Sequence, residues 1–547
     1  MLFDSKAGFV NTAGFTKVEI GDYVYYYSGV FYLRGRKAGE DSVVGFAREY
    51  EASGALPFDK VFGAFCCAIV QPDGETLFFA DNSDLHCLYV GESAISDSFL
   101  ELLRAEKKTT FDTESLCEFF ALGGVFFGKT LVPGIATTAN DSLYVCSNGT
   151  IRREDKGIGD IDAPTAIDDV PAFFRDMAYA LSDEKVTLSL TGGYDSRLVL
   201  ASLMDHLPVN VFISCSDESD PDVYWAKRAA QAVGKTLEIL RVEKPQISEE
   251  YLRRLFDQAD GNGVFVDDNY MRLSACMQNR RDEGYSCYLS GDGGVRHKDW
   301  YWIQDLPFYR RRHTDVARFY DQRIQVITPS IPFGERLEGP YRSMRRRMVG
   351  TMQQYVMPLN TESYDSIGFH VQGDLVKVKY SLHSRIVPSY APLWELELVR
   401  YSFHLPRMKR FFYNSMREMT TARSRSLART RTVYGTTASS EPRYMARDVV
   451  FQGIDYLRKA ARLLGRRVLH RNLFVGHNAW TAEADVRALE ISQRALEYCA
   501  EEGLIAAGAR QSEVAYSTLG RMIQLYLLAE KMELWRGEKA GSGRSSQ

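Results

Sequence analysis

The residues of this chain best placed for chemistry lie in a glycine turn between two apolar patterns. Val186-Thr187-Leu188-Ser189-Leu190 runs into Thr191-Gly192-Gly193-Tyr194-Asp195-Ser196, and Val199, Leu200 and Leu203 follow at helical spacing. The apolar run predicts a buried strand and the spacing predicts a helix. A strand that enters a helix through paired glycines builds an anion site. Glycine lets the backbone approach a ligand, and the first amides of the helix point at it with the positive end of the dipole. Thr191 and Ser196 add hydroxyl donors, and Asp195 is placed to hold a cation beside bound phosphate. The plainer reading is a strand-to-helix turn whose glycines take a positive φ. A second glycine turn, Ser290-Gly291-Asp292-Gly293-Gly294-Val295-Arg296-His297, follows the short strand-like run Cys287-Tyr288-Leu289.

Thr-Gly-Gly-x-Asp-Ser in this context resembles the PP-loop of ATP pyrophosphatases, and TGGYDSR resembles the variant found in the asparagine-synthetase-like (class B) superfamily. The resemblance implies that Ser189, Thr191, Gly192, Gly193, Asp195 and Ser196 bind ATP and its phosphates, and that Asp195 holds Mg2+. It also implies that the chain around Ser214 flanks the adenine. The second turn resembles the family signature Ser-Gly-Glu/Asp-Gly-Ser/Gly-Asp-Glu, which places Ser290 and Gly291 at the nucleotide and Asp292 near the reacting centre. Where the family carries Asp-Glu, this chain has Val295-Arg296. That loss should weaken the metal site, and Arg296, His297 or Lys298 would have to supply the missing positive charge. Trp394 stands where the family usually has aspartate. Arg431, in Leu427-Ala428-Arg429-Thr430-Arg431, takes the place of a family lysine that contacts the leaving pyrophosphate. Thr432 to Arg443 reads as a flexible loop.

These residues need a scaffold. Strands predicted at 186–190, 209–214, 237–242 and 287–289, with helices between them, imply a doubly wound parallel sheet with the ligand beyond the strand ends. Residues 1–152 read as strand-rich, with helices at Val43–Ser53 and Ser115–Leu122 and strands at Val61–Val70, Thr76–Asp81 and Leu85–Val90. Their order resembles the glutamine amidotransferase domain of asparagine synthetases, which implies an N-terminal Ntn-type α/β sandwich. A working glutaminase of that class uses an N-terminal cysteine. Here the sequence opens Met1-Leu2-Phe3 and its first cysteine is Cys66, so a degenerate domain is expected. Residues 153–166 read as a linker, 167–445 as the ATP-pyrophosphatase domain, 446–537 as a helical extension and 538–547 as a disordered tail. The fold class is therefore α/β, with C-terminal helices.

The 547 residues carry a net charge of −4, which gives no global case for nucleic acid. Nine cysteines without CxxC spacing argue against a zinc site or disulfide framework, and with no signal peptide or membrane-length apolar run the cytoplasm is expected. The reading is an AMP-forming amide ligase that uses ATP and Mg2+ to adenylate a carboxylate and pass it to an amine on a small molecule or peptide. In logic it is closest to β-lactam synthetases and lasso-peptide cyclases. A homodimer or a precursor-peptide partner would suit it. The rival is a non-catalytic nucleotide- or partner-binding paralogue with a decayed magnesium site. Other PP-loop chemistry, such as nucleotide or tRNA modification, is weaker because of the amidotransferase-like region.

Overall fold

Val61–Val70 is apolar at nearly every position because both of its faces are covered. Phe65, Cys67 and Ile69 face the helix Glu40–Ser53, while Cys66 and Ala68 face a second sheet. The computed structural model describes residues 1–167, 169–298, 313–325, 333–468 and 480–542. Val61–Val70 lies within a six-stranded antiparallel sheet ordered Thr150–Asp155, Ser142–Ser147, Thr76–Ala80, Val61–Val70, Tyr23–Leu33, Thr16–Ile20. The facing five-stranded sheet is also antiparallel and runs Gly8–Asn11, Leu2–Asp4, Ala94–Ser96, Tyr89–Val90, Ala136–Thr137. The helices Phe99–Glu106 and Thr113–Leu122 share a core with Tyr89 and Ala94 of that sheet. The result is a helix–sheet–sheet–helix sandwich.

The strand expected at Leu85–Val90 is shorter, Tyr89–Val90. The buried carboxylate of Asp81 accepts the amides of Ser83, Leu85 and His86 at 2.9, 3.0 and 2.7 Å, which folds that segment into a turn.

The third sheet is parallel throughout and ordered Leu237–Arg241, Val209–Cys215, Val186–Ser189, Cys287–Leu289, Ser389–Tyr390. Leu188, Val211, Ile213 and Leu289 pack with the helices Val170–Ala180, Asp195–Leu203 and Pro221–Ala232. Phe212 and Tyr288 pack on the other face against Cys276 and Met277 of the helix Asp268–Asp282. Both faces are thus covered, and the chain reverses its winding between Val186–Ser189 and Cys287–Leu289. That switch point is where an open parallel sheet leaves a crevice. The two glycine turns emerge there side by side.

The C-terminal region is helical. The pattern over 481–507 breaks at Leu489 into Glu483–Ala488 and Glu490–Glu501, and Tyr516–Ser542 continues through 538–542, where a disordered tail was expected. The remaining tail, 543–547, lies outside the described residues. Among the described residues no helix is long and apolar enough to cross a membrane.

The N-terminal sandwich is joined to the parallel-sheet region through buried polar groups. Glu395 accepts from Ser83 Oγ at 2.7 Å, Tyr390 OH at 2.5 Å and the Gly63 amide at 3.3 Å. Burial pushes its carboxyl from about 4.5 up to about 7. A carboxyl raised in the folded state binds its proton more tightly there than in the unfolded chain. Its stabilising contribution is therefore present at low pH and lost as pH rises from about 4.5 through about 7. For one group this slope cannot exceed about 1.4 kcal/mol per pH unit. Glu395→Gln is expected to flatten that decline and to be at least as stable as wild type at pH 8, read by denaturant unfolding across the range. An unchanged pH slope would show that Glu395 does not titrate there.

Candidate functional site

The loop after Val186–Ser189 closes on itself. Ser196 Oγ accepts the Thr191 amide at 3.0 Å and lies 3.1 Å from Thr191 Oγ1, so the loop's two hydroxyls are paired with each other. The helix Asp195–Leu203 starts at this point, and its first amides have no intrahelical acceptor. The second turn lies directly against it. A Cβ at Gly291 would come 2.4 Å from the Ser196 amide nitrogen, and one at Gly294 would come 2.1 Å from Cγ of Asp195. Glycine is required at both positions by this approach rather than by turn geometry alone.

Between the two turns is a cavity of about 230 Å3. Ser189, Thr191, Gly193, Asp195, Ser196, Ser290, Gly291 and Asp292 line it, so eight residues singled out from the sequence meet at one place. The structure does not bring Gly192, Ser214 or Arg431 to that cavity. The Gly192 amide donates to Asp222 Oδ1 at 2.8 Å and its carbonyl accepts from the Val433 amide at 2.9 Å, so both of its backbone groups are committed to the scaffold. Ser214 pairs with Leu240 near the end of its strand and lies outside the cavity. Arg431 bridges to Thr437, turns its carbonyl inward to Arg197 at 2.7 Å, and sets its guanidinium over the Phe451 ring. Its side chain lines a separate surface groove with Trp225, Arg429 and Arg447.

Thr432 to Arg443, expected to be a flexible loop, is instead anchored. The Thr437 amide donates to the buried Asp448 carboxylate at 2.7 Å and its hydroxyl does so at 2.6 Å, while Arg417 pairs with the same oxygen at 2.9 Å.

The cations of the site differ from those that the sequence suggested first. The turn Gly294–His297 carries Arg296 away from the cavity, where it stacks on Trp394 at 3.8 Å and on Phe369 at 4.5 Å. Trp394 therefore serves as a platform for Arg296, and the acid of that segment is its neighbour Glu395. His297 is buried between Ser402 and the Leu393 carbonyl, and burial pushes its pKa down to about 4, so it is neutral. Lys298 does line the cavity, with Nζ 4.7 Å from the Tyr413 ring centroid.

A second lysine, Lys379 of the helix Asn360–Ser384, was not identified from the sequence. Its Nζ donates to Asp292 Oδ2 at 2.6 Å, and Tyr380 OH donates to the same oxygen at 2.9 Å. Desolvation works to raise the Asp292 carboxyl, but Lys379 and Tyr380 outweigh it and hold it below the usual carboxylate range. Asp195 is the opposite case. Burial pushes its carboxyl up, Lys298 pulls it back, and Oδ1 is buried with no hydrogen-bond partner.

Tyr194, Tyr288, Tyr413 and Tyr434 complete the wall. Tyr194 is stacked on Tyr413 with centroids 4.4 Å apart. Phe412 and Tyr413 are consecutive non-glycine residues in the left-handed region, at φ 54° and 61°. Such a conformation costs about 1–2 kcal/mol per residue. Here it turns Tyr413 onto the loop, held by Arg417 Nε donating to the Phe412 carbonyl at 3.0 Å.

The orphaned Asp195 oxygen fits a Mg2+ ion held by one carboxylate and by the phosphates of a bound nucleotide. Among the described residues no group of three or more His, Cys, Asp or Glu side chains is gathered to hold a metal by itself.

Residues 177–412 match the family model for asparagine synthase. They include both glycine turns, the whole parallel sheet, Lys298 and Lys379. No curated protein matches the chain.

Proposed function

We propose that this chain, whose residues 177–412 match the family model for asparagine synthase, is an ATP-dependent, AMP-forming amide ligase. The observation that carries this reading is the pairing of the two glycine turns at the switch point, with a buried, unpartnered Asp195 oxygen between them. The substrate carboxylate attacks the α-phosphorus of ATP, the bond from that phosphorus to the α,β-bridging oxygen breaks, and pyrophosphate leaves. An amine then attacks the acyl carbon of the mixed anhydride and releases AMP, with loss of one proton from nitrogen.

Each step gains from positioning and from charge placed in advance. The amides that open the helix Asp195–Leu203, with Thr191 and Ser196, bind phosphate oxygens. Lys298, one of the three candidates Arg296, His297 and Lys298, balances charge on the departing pyrophosphate, the role that the resemblance implied for Arg431. Asp195 would hold Mg2+, which when bound screens the phosphates further. Asp292, held below the usual carboxylate range by Lys379 and Tyr380, orients the amine through its hydrogens or takes up its proton.

In this reading the N-terminal sandwich contributes no glutaminase, which is supported by the burial of all nine cysteines, since burial pushes every thiol up and disfavours a thiolate nucleophile. The amine is then free ammonia or an amine carried on a peptide or metabolite, which suits specialised biosynthesis.

The second reading, a nucleotide-binding protein without turnover, is favoured by one observation: Val295 and Arg296 line a different cavity, and Asp292, the other carboxylate between the turns, is engaged by Lys379 and Tyr380, which leaves Asp195 without an acidic partner for a metal. Carboxylate-dependent exchange of pyrophosphate into ATP separates the two. Exchange with any acid of a broad panel supports the ligase, and ATP binding without exchange across the panel supports the binder.

A further inference from the structure

A larger cavity, of about 440 Å3, lies between the N-terminal sandwich and the helix Asn360–Ser384, and Lys379 lines both it and the nucleotide cavity. We infer that this interdomain cavity takes the acyl substrate, a carboxylic acid with a largely apolar body, whose carboxylate sits at Lys379 facing the nucleotide. The inference rests on the ligase reading of the nucleotide cavity and adds the class of acid used there.

Three observations point the same way. Phe119, Val125, Leu131, Leu273, Val378 and Leu382 give the wall a broad apolar surface, so the cavity favours an apolar body. Three polar atoms on the wall, Thr137 Oγ1, Tyr270 OH and His383 Nδ1, are buried without a hydrogen-bond partner. Thr137 and His383 are only 8% and 3% exposed. Buried polar groups left unmade are costly, so a recurrence in one cavity marks positions that a ligand's polar group would satisfy. The ionic groups on the wall are committed except at the shared end. Asp374 accepts from the Phe127 and Gly128 amides and from Lys377, Asp267 caps the helix Asp268–Asp282, and Lys129 pairs with Glu118. Lys379 has three donors and uses one on Asp292, which leaves it able to bind a carboxylate. A small, fully polar acid such as aspartate would satisfy Lys379 and leave the apolar wall and the three orphaned atoms without partners.

The test uses the full-length chain and three probes: N-octanoylglycine, which carries a carboxylate, an amide and an apolar chain; octanoate; and aspartate. Binding is measured by calorimetry without ATP, and each acid is assayed separately in ATP–pyrophosphate exchange. N-octanoylglycine is expected to bind at least tenfold more tightly than aspartate and to support exchange. Val264→Trp, which fills the cavity, is expected to weaken its binding at least tenfold while ATP still binds. Tyr270→Phe keeps the volume and removes one orphaned hydroxyl, and it guards against a Trp variant that fails to fold. It is expected to shift N-octanoylglycine affinity about threefold or more and to leave octanoate unmoved. Binding of the apolar acids unaffected by both variants, or no tighter than that of aspartate, overturns the assignment and leaves a cavity that holds only water. Exchange driven by aspartate alone overturns it too, while the ligase reading stands. Apolar acids that bind in the cavity without supporting exchange overturn the role as acyl substrate, and the broad panel then decides the ligase reading separately.

Discussion

Asp195→Asn is expected to remove carboxylate-dependent pyrophosphate exchange by on the order of 10^3-fold or more while leaving the melting temperature unchanged or slightly raised. The two halves of this expectation have one cause. Asp195 lies half-buried between the glycine turns with Oδ1 buried and unpartnered, and desolvation pushes its carboxyl up, so at neutral pH the ionised form is held against a desolvation penalty. Asparagine has nearly the same shape and no charge to desolvate, so the fold loses nothing by the change. The chemistry loses the one carboxylate positioned at the loop for a phosphate-bound cation. A variant that unfolds would mean that Asp195 is structural, and a folded variant with normal exchange would remove it from the site.

Lys298→Met is expected to lower exchange by about 10^2- to 10^3-fold, the usual effect of deleting one donor aimed at developing charge. Arg296→Gln, two residues away, should act differently. It removes a guanidinium from between Trp394 and Phe369, so the melting temperature should fall while ATP still binds. The informative readout is the split: an activity loss at Lys298 with the fold kept, against a stability loss at Arg296 with the nucleotide site kept. The reverse pattern would restore Arg296 as the charge that replaces the family's missing acidic pair.

How much of this could be read from the sequence depends on how local each signal is. The two glycine turns were legible because each one carries its own context, an apolar strand before it and hydroxyl or acidic residues within it. The parallel sheet followed from the alternation of strands and helices. Lys379, Tyr413 and Tyr434 were not legible, since they reach the cavity from segments whose placement depends on tertiary packing. Tyr413 is further hidden because consecutive left-handed residues normally announce themselves as glycine or asparagine, and here they are Phe412 and Tyr413. The strand expected over Leu85–Val90 failed for a related reason: its apolar pattern is real, but three amides are captured by Asp81, a residue that pattern does not weigh. Trp394 and Val295-Arg296 read in the sequence as polar groups lost from a site. In the fold Arg296 stacks on Trp394 on its outer side, and Lys298 is the cation of that segment that lines the cavity.

The account stands or falls on whether the cavity between the turns joins a carboxylate to the α-phosphorus of ATP. The most direct measurement gives the enzyme an acid that supports exchange, labelled with 18O in both carboxylate oxygens, together with ATP and an amine, and follows the label by mass spectrometry. Attack by the carboxylate at the α-phosphorus, followed by amide formation, predicts one 18O in the AMP released and none in pyrophosphate. Label appearing in inorganic phosphate alongside ADP, or AMP that carries no label, would contradict it.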